Sequence, residues 1–168
     1  VVKLFKTCIK EKKLQMMISG GTTFRKILKK LAKSNLNTRR LSLSLSDERI
    51  VSPGSNLSNA LWLQEKYLNK VKAKEGFKIY SLEDYKFSNH YLIKKANKEF
   101  NSKKIDVGFL GVGTDGHIAS IFDESKSILN QKNFSIYKKS DEKFFRITHN
   151  LKSILKIPNL VIVFRGNK

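Results

Sequence analysis

An apolar run at residues 105–110 feeds directly into residues 111–120, GVGTDGHIAS, and no other junction in the chain constrains the fold as strongly. A buried strand that ends in a glycine-rich turn delivers polar groups to the edge of a sheet, where active sites of α/β proteins form. Gly111, Gly113 and Gly116 frame Asp115 and His117. Glycine allows a sharp turn with φ > 0 and lets a ligand approach the main chain closely. An imidazole with an unperturbed pKa of about 6.5 suits proton transfer near neutrality. Asp115, two positions earlier, is close enough to orient that ring or to add its own charge. The same ten residues also fit a glycine-rich turn whose histidine merely caps the following helix, because short glycine patterns are common.

Other junctions break the tie. Residues 14–18 form a short apolar run that ends in Ser19-Gly20-Gly21-Thr22-Thr23, after which Phe24, Ile27, Leu28 and Leu31 trace one face of a helix. Such a turn is a natural anion site, with free N–H groups and hydroxyls at the positive end of the helix dipole. Without a Walker lysine or a dinucleotide fingerprint, a plain strand-to-helix connection remains the alternative. Residues 41–46, LSLSLS, alternate strictly, as in a strand with different environments on its two faces. They end in Asp47-Glu48-Arg49, which is either a solvated charge cluster or part of a site at a strand terminus. Arg49 could grip a phosphate through two parallel hydrogen bonds, a geometry lysine cannot match. Arg146 interrupts the apolar run at 144–148, where a charge is usually paired or functional; the other reading is an arginine on the solvent face of a strand.

Helical spacing appears at residues 1–13, at 91–100, briefly at 151–155, and from a Ser58-Asn59 cap through Leu61, Trp62 and Leu68. Strands are expected at 134–137 and 144–148, more weakly at 77–80, and as a buried element at 160–164. Trp62 reads as core rather than a ligand-stacking residue. His90 and His149 lie in polar surroundings and read as surface residues. No Cys/His/Asp/Glu cluster has metal-ligand spacing. Strands alternating with helices predict an α/β fold, doubly wound, with a mostly parallel sheet and helices on both faces. Its crossovers bring residues 19–23, 47–49, 111–117 and possible contributions from Lys168 to one edge.

Composition limits the function classes. The 168 residues suit one domain. A formal net charge of +20 would ordinarily suggest a nucleic-acid partner. Yet the lysines are dispersed and no aromatic-basic platform accompanies them, so the charge is read as compositional bias, although a phosphorylated small substrate would still benefit from the field. Cys8 is the only cysteine, which fits a reducing compartment. No apolar stretch approaches the ~20 residues of a membrane helix, and the first residues do not resemble a signal peptide. These features read as a cytoplasmic protein.

Taken in order, the pieces SGGTT at 19–23, DER at 47–49 followed by Ser58-Asn59, GVGTDGHIAS at 111–120, RIT at 146–148 and GNK at 166–168 resemble the 6-phosphogluconolactonase family. That family lies within a larger group that includes glucosamine-6-phosphate deaminase. Arg49 and the Ala119-Ser120-Ile121-Phe122 segment are lactonase-like; Ile118, where lactonases usually carry threonine, and Asp123, where proline is usual, depart from the pattern. The resemblance implies a modified Rossmann-like fold and hydrolysis of 6-phospho-D-glucono-1,5-lactone in the oxidative pentose phosphate pathway, with no cofactor or metal. It further implies that His117 is the general base and Asp115 its orienting partner, with N–H groups of the glycine turn as oxyanion donors. Ser19, Gly20, Gly21, Thr22, Asp47, Arg49, Gly113, Arg146 and Lys168 would bind the phosphorylated substrate. Two rival readings are the deaminase and a non-catalytic module that binds sugar phosphates or nucleic acid. Family members usually extend further at both ends, so residues 1–168 read as an incomplete single domain with exposed apolar surface near 160–164.

Overall fold

The computed structural model describes residues 7, 13–34, 38–71, 74–75, 86–125 and 132–164. The helix expected at 1–13 and the strand expected at 77–80 lie almost wholly or wholly outside these residues, as does Lys168. Five strands form a parallel sheet: β1 (Leu14–Ile18), β2 (Leu41–Leu45), β4 (Lys74–Glu75), β5 (Val107–Gly111) and β8 (Asn159–Val163), in the order β4-β2-β1-β5-β8. The helices are α1 (Thr22–Ala32), α2 (Asn59–Lys66), α3 (Asn89–Ser102) and the single turn α4 (Leu151–Ile154).

Alternation along β1 divides the core. Leu14, Met16 and Ile18 join Phe24, Leu28 and Leu31 of α1 on one face, while Met17 packs with Leu110, Ile121 and Ile154 on the other. Both faces of the sheet are therefore covered, which explains the burial of β2. Its Leu-Ser alternation predicts different environments on the two faces, and both lie inside: Ser44 is buried along with the leucines, as a parallel strand between two layers requires. The α1 apolar stripe forms as its spacing predicts, and Ser58 caps α2 by accepting the Leu61 N–H at 3.0 Å. That helix stops at Lys66 and continues only as a 3₁₀ turn at Leu68–Lys70. Trp62 packs against the core. At the edge of the sheet, β8 and the residue after it carry the exposed apolar surface expected near 160–164, with Ile162 46% and Phe164 74% exposed.

A second, antiparallel sheet was not expected. It consists of β3 (Asp47–Ile50), β7 (Phe145–His149) and β6 (Phe134–Tyr137), in the order β3-β7-β6. Only Ser46 separates β2 from β3, so the chain passes from one sheet to the other with almost no connection. The DER triplet is therefore a strand paired with β7, Arg49 opposite Arg146, rather than the charged tail of β2. Leu92 and Ala96 of α3 cover this sheet at Phe134 and Ile147.

His90 is exposed, as expected, but His149 is a correction: it is fully buried. Its ring lies 4.4 Å from the Phe134 ring and 5.3 Å from the Phe100 ring, and its Nδ1 is 3.0 Å from Ser153 Oγ. The polar neighbours that suggested a surface are themselves inside: Asn150 donates to Ser135 Oγ, and Ser153 to the Asn133 carbonyl. Burial holds the imidazole down at about 3, against about 6.5 for a free histidine. The unfolded chain therefore takes up this proton first. The contribution is complete above about pH 6.5 and is lost as pH falls toward 3. Urea midpoints measured from pH 7.5 to 4.5 are expected to fall more steeply for the wild-type chain than for His149→Gln.

Candidate active site

The register of the parallel sheet builds the site. Ile18 pairs with Leu45 on one side and Phe109 on the other, so β1, β2 and β5 end together. Sheet order reverses between β1 and β5, the point at which doubly wound folds open a crevice. A solvent-open cleft occupies that point, lined by residues at the ends of β1 and β5, the starts of α1 and α2, and the second sheet.

Of the residues expected from sequence, Ser19, Gly21, Thr22, Asp47, Arg49, Gly113, His117 and Arg146 line this cleft. Gly20 sits just behind it, pressed so closely on the Asn59 side chain that any Cβ would collide with the amide. Asp115 is exposed at the rim and reaches the cleft only through His117. Lys168 lies outside the described residues.

Asp115 Oδ1 engages Nδ1 of His117. That hydrogen bond, above all, holds the Asp115 carboxyl below its usual range. With Nδ1–H directed at a carboxylate, Nε2 is the nitrogen that carries the lone pair in the neutral ring. The ring is backed by Phe122, whose centroid lies 4.5 Å away. A Cβ on Gly113 would overlap the imidazole, so glycine is required there for the ring to occupy its position. The turn is braced from outside as well. Ser120 donates its N–H to Thr148 Oγ1 at 3.1 Å and its hydroxyl to Asp47 Oδ2 at 2.7 Å. Just before Ser120, Ala119 adopts φ 51°, a left-handed conformation in which a side chain is strained.

One expectation narrows. The N–H groups of Val112, Gly113 and Gly116 already bond the carbonyls of Val163, His117 and Gly113, and that of Gly111 bonds Ser19 Oγ. These four donors are committed to shaping the turn, so the expectation of oxyanion donors falls on its other N–H groups. Arg146 is buried, forms a two-pronged pair with Glu142, and places Nη1 3.8 Å from Asp47 Oδ2. It is neither solvent-facing nor uncompensated.

Arg49 differs. Its Nη1 donates to two neutral oxygens, the Leu57 carbonyl at 2.7 Å and Asn59 Oδ1 at 3.3 Å, while its buried Nε has no partner among the described residues. Beside it, Thr22, Thr23 and Phe24 line the cleft in the first turn of α1, whose N-cap, Gly21, offers no side-chain bond. Uncapped N–H groups and an arginine held by neutral acceptors form an anion-binding end. Sequence reasoning missed Asn59 as part of this end, treating it only as a cap. It also missed Glu48, a fully buried carboxylate that accepts the N–H groups of Arg49 at 2.7 Å, Asn59 at 2.8 Å and Ala60. Burial pushes the Glu48 carboxyl up, against the pull of those three donors. Three acids and bases in one triplet gave no signal that the middle one faces inward.

Among the described residues no group of three His, Cys, Asp or Glu could hold a metal ion, and no helix is long and apolar enough to cross a membrane.

The chain matches the family described as glucosamine-6-phosphate isomerases/6-phosphogluconolactonase over residues 1–168. It is 28% identical over 159 residues to the 6-phosphogluconolactonase of Helicobacter pylori, covering 94% of this chain and 69% of that protein. Against the 6-phosphogluconolactonase of Borreliella burgdorferi it is 30% identical over 164 residues, covering 94% and 70%. The crystal structure of 6-phosphogluconolactonase from Thermotoga maritima superposes with a TM-score of 0.82 at 27% identity, over 98% of this chain and 76% of that one. A monomeric glucosamine-6-phosphate deaminase shares the fold, with a TM-score of 0.73 at 16% identity over 96% and 74%. Matched along its whole length, and carrying an aspartate-backed histidine beside an anion-binding helix start, the chain belongs to the glucosamine-6-phosphate isomerase/6-phosphogluconolactonase family.

Proposed function

We propose that this cleft hydrolyses 6-phospho-D-glucono-1,5-lactone to 6-phosphogluconate. The observation that carries the reading is one cleft lined both by His117, held at Nδ1 by Asp115, and by an anion-binding end made of Arg49 and the first turn of α1. The relatives named 6-phosphogluconolactonase support it.

The phosphate binds the N–H groups of the α1 start, the hydroxyls of Thr22 and Thr23, and Arg49. Anchoring one end of the substrate sets its carbonyl against the histidine and converts binding energy into orientation. Nε2 of His117 removes a proton from water as the oxygen attacks the lactone carbon, and Asp115 stabilises the imidazolium that forms. Negative charge develops on the carbonyl oxygen as the water adds. The tetrahedral intermediate collapses, the bond from carbon to ring oxygen breaks, and the imidazolium returns its proton to that oxygen. Asp47, already accepting from Ser46 and Ser120, retains lone pairs for a sugar hydroxyl. We place this reaction in the cytoplasm, in keeping with the lone cysteine.

A direct comparison separates this reaction from the deaminase. Given the phosphorylated lactone, the protein is expected to release acid faster than the uncatalysed ring opening; given glucosamine 6-phosphate, it is expected to release no ammonia. Ammonia production with no acceleration of lactone opening would replace the lactonase assignment with the deaminase.

A further inference from the structure

Three of the chain's six arginines, Arg25, Arg49 and Arg146, stand at or behind the cleft, although lysines dominate elsewhere. Arg25 is the one with no part in the reaction outlined above. It lies one residue past the buried Phe24, on the partly buried side of α1. Its contacts are specific. Nε donates to the Gly20 carbonyl at 2.9 Å, Nη2 donates to Asn59 Oδ1 at 3.1 Å, and the guanidinium carbon sits 4.9 Å from the centre of the Trp62 ring.

Each contact ties down something different. The Gly20 carbonyl belongs to the turn that presents Ser19, Gly21 and Thr22 to the cleft. Asn59 Oδ1 is the same atom that holds Arg49, so one amide oxygen draws two guanidinium groups together. The amide itself cannot swing away, since its Nδ2 reaches the Asp47 carbonyl at 3.5 Å, Gly20 presses on it, and Glu48 holds its backbone N–H. Trp62 gives Arg25 a flat surface on which the planar guanidinium rests. Two positive groups brought this close repel one another; Arg49 is one of the causes that lower the pKa of Arg25, after burial. An anion bound at Arg49 relieves that repulsion.

We infer that Arg25 is a positioning residue for the phosphate end of the substrate, clipping the glycine turn to Asn59 so that the α1 start and Arg49 converge on one anion. The inference rests on the proposed phosphorylated substrate. It requires the fork geometry of arginine, because Nε and Nη2 serve different partners, and a lysine ammonium would keep the charge without spanning both.

The test uses the full chain and the variants Arg25→Lys and Arg25→Gln. For 6-phosphogluconolactone both are expected to raise KM about tenfold, the size of one charge-assisted hydrogen bond, with kcat within about twofold. Turnover of unphosphorylated glucono-1,5-lactone is expected to stay unchanged. Wild-type KM in Arg25→Lys overturns the inference, whatever Arg25→Gln does, since charge alone would then suffice. Equal losses on both lactones, or a fall in kcat with KM unchanged, also overturn it by reducing Arg25 to a general structural role. If the wild-type chain fails to hydrolyse the phosphorylated lactone, the proposed function fails separately. The inference then stands or falls on calorimetric binding of inorganic phosphate: about tenfold weaker in Arg25→Lys supports it, and equal affinity overturns it.

Discussion

His117→Ala is expected to lower kcat for 6-phosphogluconolactone by about 10² to 10⁴-fold, the range for loss of a positioned general base, with KM changed little. The separation follows from the layout of the cleft. His117 stands on the turn after β5, whereas the phosphate is assigned to the start of α1 and Arg49. Removing the ring takes away the acceptor for the proton of water but leaves the anion-binding end whole. Asp115→Asn is expected to cost less, because the imidazole survives while the charge that stabilises its protonated form is lost. Rates are read after subtracting spontaneous ring opening. A His117→Ala chain with wild-type kcat would remove the histidine from the mechanism.

The largest stability effect is expected at Glu48. Replacing it with alanine leaves the N–H groups of Arg49, Asn59 and Ala60 without their acceptor and removes a partner of the Ser58 hydroxyl, around a carboxylate that is itself fully buried. Each stranded donor costs about 1–3 kcal/mol, so a loss of about 3 kcal/mol or more in unfolding free energy is expected. A favourable charge at the start of α2 is lost as well. Glu48→Gln should lose less, since its carbonyl still accepts while its NH₂ faces a donor. Urea unfolding checks both. The alanine variant is also expected to bind phosphate more weakly, because Asn59, which Glu48 holds, carries Arg25 and Arg49. An unfolding midpoint equal to that of the wild type would contradict the role assigned to this carboxylate.

These two residues show what a sequence can and cannot display. His117 was legible because its chemistry is local: an apolar strand, three glycines and an acid two positions away announce a turn that presents an imidazole. The SGGTT turn was legible for the same reason. Glu48 was not, because its burial depends on the start of α2, 11 residues further along, meeting β3 after the chain has changed sheets at Ser46. The second sheet was hidden in the same way, since Asp47–Ile50 has the composition of a solvated cluster and becomes a strand only through pairing with Phe145–His149. His149 repeats the lesson. Its sequence neighbours are polar, but Phe100 and Phe134, which enclose it, arrive from another helix and strand. Arg25 carried a weaker signal that could have been read: an arginine in a chain that mostly uses lysine, placed beside a glycine turn.

The central claim is tested most directly by the rate at which the chain opens 6-phosphogluconolactone, followed as acid release in weak buffer at several protein concentrations beside a protein-free control. The rate is expected to rise above background in proportion to protein, and the increment is expected to vanish in His117→Ala of equal fold. A folded wild-type chain that leaves the rate at background, or an increment that His117→Ala retains in full, would contradict the account.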